Sequence, residues 1–112
     1  MLMGVPRISV LMPVYNAAET ISDALRSITE QTFSDFEVIA INDGSDDSSL
    51  EILKTWSFRD ERIKVVNGGR IGLVAALNRG LSLCQGEFVA RMDADDRMHP
   101  NRLALQASFL EP

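Results

Sequence analysis

The sequence predicts an α/β fold, a mostly parallel open sheet flanked by helices, and three observations carry that expectation. Near-continuous apolar runs recur four times along the chain. Segments with apolar residues at helical spacing separate them. Polar clusters follow the first, second and fourth runs, where strands would end. Apolar runs without polar alternation imply strands buried on both faces, and a β-α alternation implies right-handed parallel crossovers.

Arg7 to Pro13 (RISVLMP) is the first strand candidate. Asn16-Ala17-Ala18-Glu19 then has the spacing of a capping box, a side-chain cap with Glu three residues later. Ile21, Ala24, Leu25 and Ile28 continue as an apolar helical stripe. Phe36 to Ile41 (FEVIAI) is the second strand, and the next helix is expected near Asp46 to Ser48, with Leu50, Leu53 and Trp56 inward. Arg62 to Val66 is a shorter third strand. Leu73, Ala76, Leu77, Leu81 and Cys84 form the stripe of a third helix, which Gly86 would stop. Glu87 to Met92 is the fourth strand. A last helix follows Pro100, carrying Leu103, Ala107 and Leu110. Met3, Met12 and Met92 flank or line strands and read as packing.

A chain of 112 residues with 46% hydrophobic residues supports one domain around one core. Its net charge of -5 argues against a general nucleic-acid binder. A nucleotide pocket stays open, because a metal offsets local carboxylate charge. The single Cys84 precludes an internal disulfide and fits a reducing compartment. No apolar run approaches the ~18–20 residues of a membrane span. Ile8 to Val14 is short, is broken by Pro13 and lacks a basic leader, so it makes a poor signal peptide. The expectation is a soluble cytoplasmic domain, with membrane association left open for a larger parent. The chain ends at Phe109-Leu110-Glu111-Pro112, directly after a helix, which suggests a longer protein. An exposed sheet edge in such a fragment would invite pairing between copies.

Chemistry belongs beyond the carboxyl ends of the strands, where open α/β sheets bind ligands. Asp93-Ala94-Asp95-Asp96 ends the fourth strand with three carboxylates, whose burial without partners would be costly. Oxygen ligands at this density suit Mg²⁺ or Mn²⁺ shared with substrate phosphates, although a solvated acidic turn has the same composition. Tyr15, after Pro13 and Val14, offers an aromatic face and a hydroxyl to a base. Asp43 could accept hydrogen bonds from ring NH groups, or open an Asp-Gly turn with Gly44. Arg70 could reach a base or a diphosphate. Ser45 and Asp46 serve as readily as helix caps as they do as ligand contacts.

Other motifs fail. There is no G-x-x-x-x-G-K phosphate loop, and Pro13-Val14-Tyr15-Asn16 replaces a G-x-G-x-x-G turn. An EF-hand starting at Asp93 would need Gly and Glu where Met98 and Ala104 stand. His99 is the lone histidine, so neither a zinc cluster nor a Ser-His-Asp set assembles.

Taken in order, Ser9 to Asn16 (SVLMPVYN), Ile41 to Asp47 (INDGSDD), Gly72 to Gly80 (GLVAALNRG), and Gly86-Glu87-Phe88 leading to Met92 to Asp96 (MDADD) resemble glycosyltransferase family 2. The resemblance covers essentially the whole chain. It implies a Rossmann-like GT-A fold, a nucleotide-diphospho-sugar donor and a divalent metal, Mg²⁺ or Mn²⁺, in an inverting transfer to an acceptor hydroxyl. By the same resemblance Asp43 contacts the base, Pro13 and Tyr15 line its pocket and Asp93 lies near the ribose. Asp95 binds the metal, with Asp96 in support.

Two departures stand out: Asn42 where the family often has Asp, and Leu77 where it often has Arg, leaving Arg70 as a substitute contact. A carboxylate to deprotonate the acceptor is missing, since the visible acids belong on the donor side. It is expected beyond Pro112, so residues 1–112 read as the N-terminal, donor-binding part of the enzyme, inactive alone. The alternatives are a nucleotidyltransferase of related architecture, for which Gly4 and Arg7 give thin support, and a non-catalytic nucleotide- or metal-binding module.

Overall fold

The computed structural model describes residues 4–110, Leu110 by its backbone alone. The expectations for Met3 and for the Leu110 side chain therefore lie outside the described residues. Strands and helices alternate throughout: β1 (Ile8–Val14), α1 (Ile21–Thr29), β2 (Phe36–Asn42), α2 (Ser49–Arg59), β3 (Ile63–Asn67), α3 (Leu73–Leu83), β4 (Phe88–Arg91) and α4 (Arg102–Leu110). The strands form one parallel sheet in the order β3-β2-β1-β4. β1 pairs with β2 from Ile8–Phe36 to Val14–Asn42, but with β4 only from Ile8–Phe88 to Leu11–Arg91. Beyond Leu11, β1 is an edge strand, and there Pro13 is tolerated although it donates no ladder hydrogen bond.

The chain steps outward from β1 to β3, then returns to place β4 on the other side of β1. The gap between the carboxyl ends of β1 and β4 is thus a topological switch point, the usual ligand crevice of such sheets. Right-handed crossovers put α1 and α2 on one face and α3 on the other. Ile21, Ala24, Leu25 and Ile28 of α1, Leu53 of α2, and Leu103 and Ala107 of α4 pack against Val10, Met12, Val38 and Ala40. Across the sheet, Ala76 of α3 covers Leu11, Ile39 and Ile41.

Three local expectations are corrected. Asn16 is not the cap of α1; the N-cap is Thr20 and the helix begins at Ile21. Asn16 instead takes a φ of 48°, and its Oδ1 accepts from the Asp46 amide at 2.7 Å. The inward face of α3 is Ala76 and Gly80, while Leu73 and Leu81 are exposed. A Cβ on Gly80 would stand 2.5 Å from Leu11 Cδ1 and 2.4 Å from Ile41 Cδ1, so small residues let α3 ride close to the sheet and roll its leucines outward. Burial on both faces fails for β4, where Val89 is exposed because this strand is an edge. Trp56 is half-buried against the larger core, its Nε1 donating to Ser22 Oγ at 3.3 Å. Cys84 packs half-buried against the smaller cluster, and burial pushes its thiol pKa up.

At the amino edge of the sheet, Glu37 is 2% exposed. Its carboxylate accepts from Ser9 Oγ at 2.6 Å, the Gln85 amide at 2.7 Å and Lys64 Nζ at 2.9 Å. Burial alone would raise its pKa, but these donors outweigh burial and hold it below the usual glutamate value. The Gly86 amide donates to Ser9 Oγ at 2.8 Å, so the turn from α3 into β4 is fastened to β1 and β2.

Candidate functional site

The loops at the carboxyl edge surround a cavity of about 660 Å³, a size typical of small-ligand sites. Pro13, Tyr15, Asp43, Arg70, Asp93 and Asp95 all line it, as expected for one site. Asp96 lies beside the other two acids without lining the cavity. His99 also stays outside it.

On one side of the cavity, Asp43 extends the end of β2, its amide donating to Val14 O at 2.8 Å. Its buried carboxylate accepts the Ile71 and Gly72 amides on Oδ1, at 2.7 and 3.1 Å, and Arg70 Nη1 on Oδ2 at 2.6 Å. A carboxylate offers about four acceptor positions, so Oδ2 keeps one beyond its bond to Arg70. The Arg70 guanidinium carbon lies 3.7 Å from the centroid of the Tyr15 ring, within cation–π range. Asp43 therefore folds the 70–72 segment and aims Arg70 across Tyr15. Gly44 permits this, with a φ of 70° and the Arg70 backbone nitrogen 2.8 Å from where a Cβ would sit.

Asn42 explains its departure from an aspartate. Its Nδ2 donates to Asn67 Oδ1 at 3.0 Å, while its Oδ1 accepts the Ser45 amide at 3.4 Å. An amide serves both partners, whereas an ionised carboxylate only accepts.

On the other side, Asp93, Asp95 and Asp96 place carboxylate oxygens within 4.8 Å of one another. Asp93 Oδ1 also meets Arg91 Nη2 at 3.2 Å, an exposed pair of little energetic weight. Like charges this close repel, and a hard divalent cation with oxygen ligands relieves that repulsion. An open, three-carboxylate edge fits Mg²⁺ or Mn²⁺, which keep several waters and share substrate phosphates.

The loops are joined by residues for which the sequence suggests only local roles, or none. Ser45 Oγ accepts the Asn16 amide at 2.9 Å, Ser49 Oγ the Ala17 amide at 2.8 Å, and Asp47 Oδ2 the Ala18 amide at 3.1 Å. Hydrogen bonds from Ser49 hold the Asp47 carboxyl below its usual range. The Ser- and Asp-rich run 45–49 is the visible signal, but it serves the neighbouring loop as well as its own helix. Thr20, Glu19, Leu73 and Arg91 also line the cavity without having been singled out.

Comparison with known proteins agrees with this arrangement. The family model described as glycosyl transferase family 2 matches residues 9–112. An uncharacterized glycosyltransferase of Haemophilus influenzae is 40% identical over 107 residues, 95% of this chain and 33% of that protein. The putative glycosyltransferase EpsE of Bacillus subtilis is 38% identical over 108 residues, 95% of this chain and 39% of EpsE. The chain thus spans little more than a third of the length of these relatives.

Among solved structures, S. aureus TarS 1–349 in complex with UDP-GlcNAc superposes with a TM-score of 0.85 at 31% identity, covering 93% of this chain and 31% of that one. The mannosyltransferase PcManGT from Pyrobaculum calidifontis, in complex with GDP-Man and Mn²⁺, gives 0.87 at 28%, covering 98% and 34%. The parallel sheet has the Rossmann-like GT-A architecture of these neighbours. With a family match running from Ser9 to the last residue, the chain belongs to glycosyl transferase family 2.

Proposed function

We propose that residues 1–112 are the N-terminal donor-binding part of an inverting glycosyltransferase that uses a nucleoside-diphosphate sugar with a divalent cation. The observation that carries this reading is the sharing of one cavity by two chemically distinct sets of residues. Tyr15, Asp43 and Arg70 suit a planar, hydrogen-bonding base, and Asp93 with Asp95 suits the ribose and a metal diphosphate. The neighbours with UDP-GlcNAc or with GDP-Man and Mn²⁺ support the same class of ligand here.

In this reading Tyr15 and Pro13 bound the base pocket, and the free lone pair of Asp43 Oδ2 takes a ring NH. Arg70 stays at the base or turns to the diphosphate. Asp95 is the principal metal ligand, Asp96 assists it, and Asp93 lies towards the ribose. The bound cation supplies neutralisation of the charge that develops on the departing diphosphate. Inversion needs a base opposite that diphosphate, and Asp43, Asp93, Asp95 and Asp96 are assigned here to the donor. The base and the acceptor site belong to the remainder of the parent protein. Among the described residues no helix is long and apolar enough to cross a membrane.

Calorimetric titration with UDP, GDP and dTDP, each with and without Mn²⁺, tests this. One nucleotide should bind with metal dependence, and Asp95→Ala should abolish that dependence while sparing the weaker metal-free binding. A folded chain that binds none of the three, or an Asp95→Ala variant that keeps its full response to Mn²⁺, refutes the assignment.

A further inference from the structure

We propose that α1 positions the acidic loop, and that Thr20 is the positioning residue through which it acts on Asp93 and Asp95. The proposal rests on the donor-site reading above and adds a cavity-lining residue to which that reading gives no role.

Thr at an N-cap ordinarily accepts a hydrogen bond from an amide of its own first turn. Thr20 makes no such bond. Its hydroxyl donates across the switch-point crevice to the Ala94 carbonyl at 3.0 Å, with Ala17 O a poorer acceptor at 3.4 Å. Ala94 is the residue between the two acids, and its methyl group is buried in the larger core. Carbonyl and methyl are therefore both fixed, and Asp93 and Asp95 on either side are left facing the cavity.

The other end of α1 holds the segment that follows. Ser27 Oγ accepts the Met98 amide at 2.8 Å. Gln31 Nε2 donates to His99 O at 2.7 Å, and its Oε1 accepts the Leu103 amide at 3.1 Å. Gln31 is itself buried, so these bonds are shielded from competing water. From its N-cap to the residue just past its C-cap, the α1 segment thus grips the chain within and after the turn that carries the acids. A metal site needs its ligands held by outer hydrogen bonds, and loss of such a partner typically costs about tenfold to a hundredfold in metal affinity. Thr20 holds a ligand-loop carbonyl and not a ligand, which places it at the lower end.

The test compares wild type, Thr20→Val, which removes only the hydroxyl, and Thr20→Ser, which restores it. Each is titrated calorimetrically with UDP, GDP and dTDP, with and without Mn²⁺. Hydrogen exchange of the peptide spanning 92–98 is followed in the ligand-free proteins. Thr20→Val should weaken the Mn²⁺-dependent nucleotide affinity by about tenfold, lower metal-free affinity by clearly less and speed exchange in that peptide. Thr20→Ser should behave as wild type in all three respects.

A Thr20→Val variant with wild-type metal dependence overturns the proposal. So does parallel loss of metal-free and metal-dependent binding, which marks a merely structural role, or unchanged exchange over 92–98. Absence of metal-dependent binding in wild type refutes instead the donor-site reading, and the exchange comparison still decides whether Thr20 holds the loop.

Discussion

The two ends of β2 each carry a buried carboxylate built from the same parts, and only one of them faces a cavity. Glu37, at the amino end, accepts a lysine from β3 and an amide at the exit of α3. Asp43, past the carboxyl end, accepts an arginine from the β3–α3 connection and two amides at the entry of α3. Together they pin both ends of one helix to one strand. The difference lies in what the cation does. Lys64 reaches back along the sheet surface to Glu37, whereas Arg70 is laid over the exposed face of Tyr15 at the edge of the ligand cavity. The same bonds thus anchor both ends, and only at the carboxyl end does the network also line the cavity.

Removing Glu37 should give the largest effect and confine it to stability. Glu37→Ala strands the Gln85 amide and the Ser9 hydroxyl, at about 1–3 kcal/mol for each unsatisfied buried group. Lys64 is half-exposed and rehydrates, so its charge adds little. A loss of about 3 kcal/mol, or roughly 10 °C in Tm for a domain this small, is expected in thermal unfolding. Nucleotide affinity per folded molecule should not move; if it falls with stability, the two ends of β2 are not separable.

Asp43→Asn should invert that pattern. The variant keeps the volume but weakens the charge-assisted bond that aims Arg70, a contact worth about 1.5–3 kcal/mol. Metal-free nucleotide affinity should drop by about tenfold in calorimetry, with a smaller fall in Tm than Glu37→Ala produces. Unchanged affinity beside a large stability loss would make Asp43 a second anchor and nothing more.

The fold and the cavity end of this contrast are legible in the sequence, the Glu37 end is not, and the limits have physical causes. Strands such as Phe36–Asn42 announce themselves because a buried parallel strand has no polar alternation. The polar clusters after β1, β2 and β4 were readable because an α/β alternation brings those ends to one edge. Long-range hydrogen bonding was not readable. Asn16 has the local pattern of a helix cap, yet its oxygen goes to Asp46, thirty residues on, because that donor is the nearer one in space. Thr20 looks like an ordinary polar residue before a helix, and its partner is Ala94. Glu37 was hidden inside an apolar run, since nothing local tells that Ser9, Lys64 and Gln85 converge on it. In α3 the predicted stripe holds at Ala76, Leu77 and Cys84 and fails at Leu73 and Leu81, because leucines suggest burial while the close approach at Gly80 favours small residues.

The smallest expected effect is a pH dependence that belongs to the amino end. Burial of Glu37 opposes ionisation, but its donors prevail and lower its pKa in the folded chain. A carboxyl whose pKa is lower folded than unfolded binds fewer protons in the folded state between those two values. Its stabilisation is complete above the unfolded value, about 4.5, and drains away as the pH falls through the lowered one. Asp60 has the same sign, since hydrogen bonds from Arg62 outweigh burial there too. Wild-type stability in chemical denaturation should therefore decline below about pH 4.5. In Glu37→Gln the curve should start lower at neutral pH and fall less steeply, by up to about one proton's contribution, with Asp60 retaining its share. An acid limb equally steep in Glu37→Gln would mean that the Glu37 network does not govern protonation at this end of the sheet.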